Sequence, residues 1–441
     1  MLDLLRKILG QRILNYYHIA CAILANIIYG FPSRRLHIIG VTGTDGKTTT
    51  VNMIASILRA GGFAASHLST VNAQIGSKIY DTGLHTTTPS SFFLQRFLAK
   101  AAGAGCKYAV LEVTSHALDQ YRTWGIRFET AVITNVSHEH LDYHKDLEEY
   151  MAAKGKLLRN VKNAVLNADD QSFEYFLKLL RAKQLLTYGF SATTKIWADK
   201  IEETLTSANF TTHVLAETFP ITLNLPGKFN VSNALAAIAA SAVYDVPQSA
   251  IQKGLMGIKG IKGRLEFVIS PQPHPNPLLT KEREKGEAGE GVKTMVDFAH
   301  TPNAIEKLMQ FLRPKVKGKI IHVFGCAGER DKTKRPLMGG FSDQYADLIV
   351  ITREDNRSEP IEQICHEITL GISQKIFNET YFIKPDRREA IRFALSRASA
   401  GDLVVVTGKG HEQSLNIDGQ EIPWDDRAVV REELEKVVSS K

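Results

Sequence analysis

At 441 residues the chain exceeds what one hydrophobic core ordinarily organises, and roughly 150 residues per domain predicts two or three domains. Apolar content of 44% with 23% charged residues excludes a disordered or fibrous chain. The formal net charge of +7 is mild for this length; it suits an anionic small substrate, and no arginine-rich tract interleaved with aromatics marks a nucleic-acid partner.

Residues 1–35 read as an apolar N-terminal helical segment. Within it ILNYYHIACAILANIIYG, residues 13–30, is uncharged and bordered by Arg12 on one side and by Arg34 and Arg35 on the other. It is slightly short for a membrane span of about 20 residues and holds two asparagines and a histidine. A packed helix is the first expectation, an interfacial helix making peripheral membrane contact the second, and a true span the last. FPSRR runs straight into the next strand without a small-residue cleavage site, which argues against a signal peptide.

The apolar run LHIIGV then predicts a buried strand, and VNMIASILRA carries helical spacing. Between them stands TGTDGKTTT, residues 42–50, in the strand–loop–helix setting that a phosphate loop needs. Backbone N–H groups of such a turn hold phosphate oxygens, Lys47 reaches the β/γ-phosphates, and the Thr48 hydroxyl can serve Mg²⁺. The strict GxxxxGK[ST] pattern is missed, because Val41 occupies the place of its first glycine.

KYAVLEVTS and ETAVITNVS are further β-branched runs with polar ends, while SSFFLQRFLAKAAGAG and LEEYMAAKGKLLRNV read as helices. Strands and helices thus alternate up to about Val246, which predicts an α/β fold with a mostly parallel sheet and ligands at the carboxyl ends of its strands. Two clusters fall at such ends. LEVTSHALDQYR supplies Glu112, Thr114, Ser115, His116 and Arg122; TNVSHEHLDYH supplies His138, Glu139, His140, Asp142 and His144. Taken singly, each histidine is more simply a hydrogen-bonded loop residue; clustered after a buried strand near a phosphate loop, they become candidate Mg²⁺ or nucleotide ligands. Lys154, on the helix that follows, reads from composition alone as a solvated charge.

A second alternating block starts near Arg264, with TMVDFA, KIIHVFGCAG, DLIVITRED and DLVVVTGKG as strands. It predicts a separate α/β domain. The domains expected are therefore 36–262 and 263–441, with 267–292 a disordered surface insertion, since PQPHPNPLLTKEREKGEAGEG has little to bury. Arg330, Lys334 and Arg335 follow a strand end and suit phosphates or carboxylates, a solvated basic face being the plainer alternative. Cys21, Cys106, Cys326 and Cys365 lack CxxC spacing and read as reduced, mostly buried thiols.

In order along the chain, TGTDGKTTT, TTTPSSFFLQ, LEVTSHALDQYR, TNVSHEHLDYH, AAKGKLL, LPGKFNVSNALAA, GRLE, VDFAHTPNAIEKL, FGCAGERDKTKRPLMG, DRREAI and GKGHE resemble the motifs of the Mur ligase family. The likeness runs from about Leu36 to the end and is nearest to the members that add the third amino acid to UDP-N-acetylmuramoyl-dipeptide. It implies a P-loop central domain followed by a C-terminal Rossmann-like α/β domain, and an ATP- and Mg²⁺-dependent ligase forming an acyl phosphate. The family's TGTxGKT loop accounts for Val41.

By the same resemblance, Gly43, Thr44, Gly46, Lys47, Thr48 and Thr49 serve the phosphates, Asn230 the adenine region, and Arg264 and Asp297 the ATP. Glu112 and His140, with Thr48, match metal ligands, and Lys154 matches a carbamylated lysine supporting magnesium. Thr87, Thr88, Thr114 and Arg122 fall on the muramoyl-peptide side, while Arg330, Arg357, Gly408 and Glu412 match positions holding the incoming amino acid. Two departures stand out. The family's uridine-gripping N-terminal domain of about one hundred residues has no counterpart before the phosphate strand, which opens a lipid-linked or otherwise altered donor as an alternative. Where diaminopimelate-adding members read DNPR, this chain reads Glu354, Asp355, Asn356, Arg357. Diaminopimelate or lysine is the expected acceptor and the cytoplasm the expected location. A folylpolyglutamate-type ligase is disfavoured by LEVTSHALDQYR with GKGHE, and a membrane-tethered nucleotide-binding scaffold by the full set of metal and phosphate residues.

Overall fold

The computed structural model describes residues 2–81, 88–137, 139, 143–268 and 292–439. Thr87, His138, His140 and Asp142 lie outside the described residues, as does nearly all of the 267–292 stretch. The chain divides into two compact units: Met1–Ser137 with Tyr143–Lys259, and His138–Asp142 with Gly260–Lys441.

The described residues of the first unit form an eleven-stranded sheet. In chain order its strands are β1 His37–Thr42, β2 Ala65–Leu68, β3 Asn72–Ile75, β4 Lys78–Asp81, β5 Tyr108–Glu112, β6 Phe128–Ile133, β7 Asn163–Asn167, β8 Gln184–Gly189, β9 Ile196–Glu203, β10 Ala208–Val214 and β11 Glu217–Leu223. Across the sheet they run β11-β10-β9-β8-β7-β6-β1-β5-β2-β3-β4. Every neighbouring pair from β9 to β2 is parallel. The outer groups β9-β10-β11 and β2-β3-β4 are antiparallel. Central β1 is flanked on both edges and covered on both faces, which is why LHIIGV reads as a continuous apolar run. The antiparallel ends depart from the strand–helix alternation expected up to Val246. β9, β10 and β11 follow one another without a helix, and their burial alternates residue by residue, as strands covered on one face require.

The helices of this unit are α1 Leu2–Ile28, α2 Lys47–Ala60, α3 Ser91–Gly103, α4 Ser115–Asp119, α5 Leu147–Gly155, α6 Phe173–Leu179, α7 Lys228–Ala242 and α8 Gln248–Met256. Side chains start three of them: Ser90 accepts from Phe93 N, Thr114 from Ala117 N and Asp146 from Glu149 N. α1 is a packed helix along one face, where Leu14, Ala22, Ala25 and Asn26 are buried. Asn26 donates to Ala22 O at 2.8 Å and to Trp124 O at 2.9 Å, pinning the helix to the turn before β6.

The second unit is built on β12 Glu266–Phe267, β13 Lys293–Asp297, β14 Ile320–Phe324, β15 Leu348–Ile351, β16 Tyr381–Ile383 and β17 Leu403–Thr407. Their order is β12-β13-β17-β14-β15-β16, parallel except for β12. Val296, Val323, Val350, Val404 and Val406 fill its core beneath the helix Arg387–Arg397. A hairpin, β18 Ser414–Ile417 and β19 Gln420–Pro423, stands apart from this sheet.

Candidate active site

In the first unit the loop between β1 and α2 is fixed from three sides. Asp45 N donates to Asn135 Oδ1 at 2.9 Å, and Thr134 Oγ1 donates to Asp45 O at 2.7 Å, so the end of β6 holds the loop. Gly46 begins α2 in the left-handed region at φ 80°, and a Cβ there would run into the Asn233 amide; one at Gly43 would run into the Thr134 hydroxyl. Asn233 Nδ2 in turn donates to Asn230 Oδ1 at 3.2 Å, so the candidate adenine residue on α7 is tied to the phosphate loop through a neighbour.

Two ammonium groups close on that loop. Lys47 Nζ donates to Gly43 O at 3.0 Å and to Thr44 O at 2.7 Å. Lys154 Nζ donates to Gly43 O at 2.7 Å, lies 4.2 Å from the centre of the Tyr150 ring, and the residue is 1% exposed. The solvated-charge reading of Lys154 is therefore wrong: α5 turns this side chain inward onto the phosphate loop. Tyr150 belongs to the same cluster, its hydroxyl 3.2 Å from Thr44 Oγ1. His144 Nε2 lies 3.1 Å from Ser115 Oγ, and burial lowers its pKa below the ordinary imidazole value.

Beside the loop, Thr48 Oγ1 donates to Glu112 Oε2 at 2.9 Å, and the same carboxylate oxygen accepts from Thr70 N at 2.9 Å. Glu112 is 4% exposed. A hydroxyl and a carboxylate are hard oxygen donors of the kind Mg²⁺ takes, so this pair fits that ion. Among the described residues no group of three His, Cys, Asp or Glu could hold a metal; His140 is outside them. Thr88, Thr114 and Arg122 come together near the end of β5. Thr114 N donates to Thr88 Oγ1 at 2.9 Å, Thr88 Oγ1 donates to Glu112 O at 3.3 Å, and Arg122 donates to Thr88 O.

In the second unit Asp297, at the end of β13, accepts from Leu265 N and from Ala299 N, each at 2.7 Å. It thereby fixes the segment that carries Arg264, whose guanidinium lies 4.3 Å from the Phe298 ring centre and 3.5 Å from His411 Nδ1. Burial and the Arg264 charge push the His411 imidazole down to about 2.

Charged side chains cluster around the acceptor candidates. Arg357, at φ 52°, donates to Gly328 O at 2.7 Å, and burial together with the nearby Arg330 charge lowers its pKa. Lys409 Nζ pairs with Asp355 at 2.7 Å and with Glu412 at 2.5 Å. At Gly408, φ 108°, a Cβ would approach Glu354 Oε2 to 3.0 Å. Burial, reinforced by Asp355 and Glu412, pushes the Glu354 carboxyl up to about 7. Lys334 is buried and paired with Glu139 at 3.1 Å. Arg335 is not available to a ligand: fully buried, it pairs with Glu359 and Glu367 and donates to Ala327 O, so it is structural.

Reasoning from sequence passed over Tyr150, Asn233 and Lys409 as individuals. Each lay inside or beside a quoted motif, but only the fold reveals what it touches. The four cysteines are unpaired by disulfides, three of them buried.

Residues 41–241 match the Mur ligase middle domain, and residues 283–410 match the Mur ligase, glutamate ligase domain. The UDP-N-acetylmuramoyl-L-alanyl-D-glutamate–2,6-diaminopimelate ligase of Geobacillus thermodenitrificans is 38% identical over 421 residues, covering 93% of this chain and 81% of that one. The UDP-N-acetylmuramyl-tripeptide synthetase of a Roseiflexus species is 38% identical over 434 residues, covering 94% and 82%. A solved UDP-N-acetylmuramoyl-L-alanyl-D-glutamate–2,6-diaminopimelate ligase superposes with a TM-score of 0.60 at 32% identity, over 91% of this chain and 79% of the other.

Proposed function

Because the chain belongs to the Mur ligase family, and so is an ATP-dependent, ADP-forming acid–amino-acid ligase of peptidoglycan precursor synthesis, we propose that it joins meso-diaminopimelate to UDP-N-acetylmuramoyl-L-alanyl-D-glutamate. The observation that carries this reading is the convergence of Lys47, Lys154 and the Thr48–Glu112 pair on one phosphate loop.

A carboxylate oxygen of the muramoyl dipeptide attacks the γ-phosphorus of ATP; the bond to the β,γ-bridging oxygen breaks, ADP leaves, and an acyl phosphate remains. The acceptor ammonium loses a proton, the neutral amine attacks the acyl carbon, and the tetrahedral intermediate gives up a second proton from nitrogen and collapses to the amide with inorganic phosphate as leaving group. Backbone N–H groups of residues 46–49, at the N-terminus of α2, hold the phosphates, and Lys47 neutralises charge that builds on them. Thr48, Glu112, His140 and Lys154 would hold magnesium, which when bound adds further charge neutralisation. Asn230, Arg264 and Asp297 serve the nucleotide. Thr88, Thr114 and Arg122, with Thr87, orient the dipeptide. Arg330 and Arg357 take the carboxylates of the acceptor, while Glu412, beside Gly408, takes an ammonium.

Lys154 works as a carbamate. Its neutral amine adds to the carbon of CO₂, a proton leaves, and the anion formed keeps one N–H for Gly43 O while gaining oxygens suited to magnesium. The protein acts in the cytoplasm, where residues 13–30 make peripheral contact with the membrane. The test is ADP release with Mg²⁺, the UDP-linked dipeptide and either diaminopimelate or lysine, with mass spectrometry of the product. A diaminopimelyl tripeptide is expected; ATP turnover only with lysine, or with a lipid-linked donor, would replace the proposed substrates.

A further inference from the structure

α1 has two unlike faces. Opposite its buried side stand Tyr16, Tyr17, Ile23, Leu24, Ile27 and Ile28, one helical stripe of apolar side chains, with Tyr16 74% and Ile27 60% exposed. Adjacent turns of large apolar residues this exposed mark an interaction surface. Charge borders the stripe without entering it. Residues 13–30 are uncharged, Arg34 and Arg35 follow, exposed, on the turn Pro32–Arg35, and residues 1–35 hold five basic side chains against one acidic.

We propose that this face docks on an anionic lipid bilayer, with α1 lying in the plane of the interface. The proposal rests on the peripheral contact of residues 13–30 given above and supplies its lipid chemistry and orientation. Charge selects the occupant: a twofold contact with a second copy would bring two basic borders together, whereas anionic headgroups neutralise them. Geometry selects the orientation. Among the described residues no helix is long and apolar enough to cross a membrane, and protein already occupies one face of α1, so only the stripe can enter the acyl boundary. The phenolic hydroxyls of Tyr16 and Tyr17 then suit headgroup level.

The full chain is sedimented with phosphatidylcholine vesicles, with and without phosphatidylglycerol, at low and physiological salt. Retention on the phosphatidylglycerol vesicles that weakens with salt is expected. The pair Leu24→Glu and Ile27→Glu should abolish it, and Arg34→Gln with Arg35→Gln should weaken it roughly 30-fold, about fivefold per arginine. Circular dichroism and vesicle-free ligase activity should match the unsubstituted protein in both variants, since these side chains are exposed. Equal, salt-independent binding to pure phosphatidylcholine would keep the membrane contact and overturn the anionic requirement. No binding to either vesicle would overturn the contact itself, as would a dimer that the glutamate pair dissociates.

Discussion

Lys47 and Lys154 donate to the same oxygen, Gly43 O, from 3.0 and 2.7 Å. Two unmodified ammonium groups on one carbonyl repel each other, and burial strengthens that repulsion. Converting one to a carbamate turns the repulsion into attraction. Lys154→Ala is therefore expected to lower kcat by at least about 100-fold, the scale of losing a preorganised charge in a water-poor site. Added formate or acetate should restore part of it. Full activity in the variant, or no rescue by any small carboxylate alongside normal ATP binding, would remove the carbamate from the mechanism.

Gly46→Ala should damage the loop by two routes, since the position is left-handed and its added Cβ meets Asn233. We expect a loss of about 1–3 kcal/mol in stability together with weakened ATP binding, read by melting with and without nucleotide. Adding Asn233→Gly relieves only the steric part, so partial recovery in the double variant would separate the two.

Arg357→Ala should raise KM for the acceptor by roughly 10- to 100-fold, the worth of a charge-assisted hydrogen bond. KM for ATP should stay within about twofold, as expected where independent interactions are removed. Glu412→Gln tests the opposite end of the acceptor: a loss shared by diaminopimelate and lysine, with amino acids that lack a second amine unaffected, would assign it to the second ammonium.

Glu354 supplies a pH signature. Its folded pKa, about 7, lies above the carboxyl value of 4.5, so between these values the folded state binds more protons than the unfolded one. Stability from this group is thus present at low pH and is lost as pH rises from 4.5 through 7. Glu354→Gln, which mimics the protonated form, should melt with the unsubstituted protein near the bottom of that window. Above it the variant should be the more stable, by up to roughly 3 kcal/mol. A constant difference in melting temperature across the window would mean the carboxyl stays ionised.

Arg335→Ala should cost about 3 kcal/mol, because Glu359 would lose its two-pronged partner and keep only the half-exposed Lys332 and the Glu329 N–H. Melting measures it. A change confined to phosphate or acceptor binding would restore the ligand-facing reading that the structure replaces.

How much of this was legible in sequence depends on how local the cause was. The phosphate loop was, because an apolar strand, two glycines and a helix declare themselves within about twenty residues, the span over which periodicity is read. The inward turn of Lys154 was not, since the carbonyl that accepts from its ammonium, Gly43 O, is 111 residues away in the chain. Arg335 was misread for the same reason: KRP looks like any exposed basic run until Glu359 and Glu367 are brought to it. The antiparallel ends of the large sheet were missed because β9 to β11 alternate on one face only and resemble loops with scattered apolar residues.

The dependence of Gly46 on Asn233 has a consequence for synthesis. Thr50, one turn into α2, and Asn233 are 183 residues apart in the chain, and β1 is flanked by strands that emerge only after it. Such long-range closure is slow, because its entropy is lost before its contacts form. On the ribosome, then, the loop emerges first, is held once the end of β6 follows it, and gains its contact with α7 last, so full nucleotide affinity should appear only once α7 has cleared the exit tunnel.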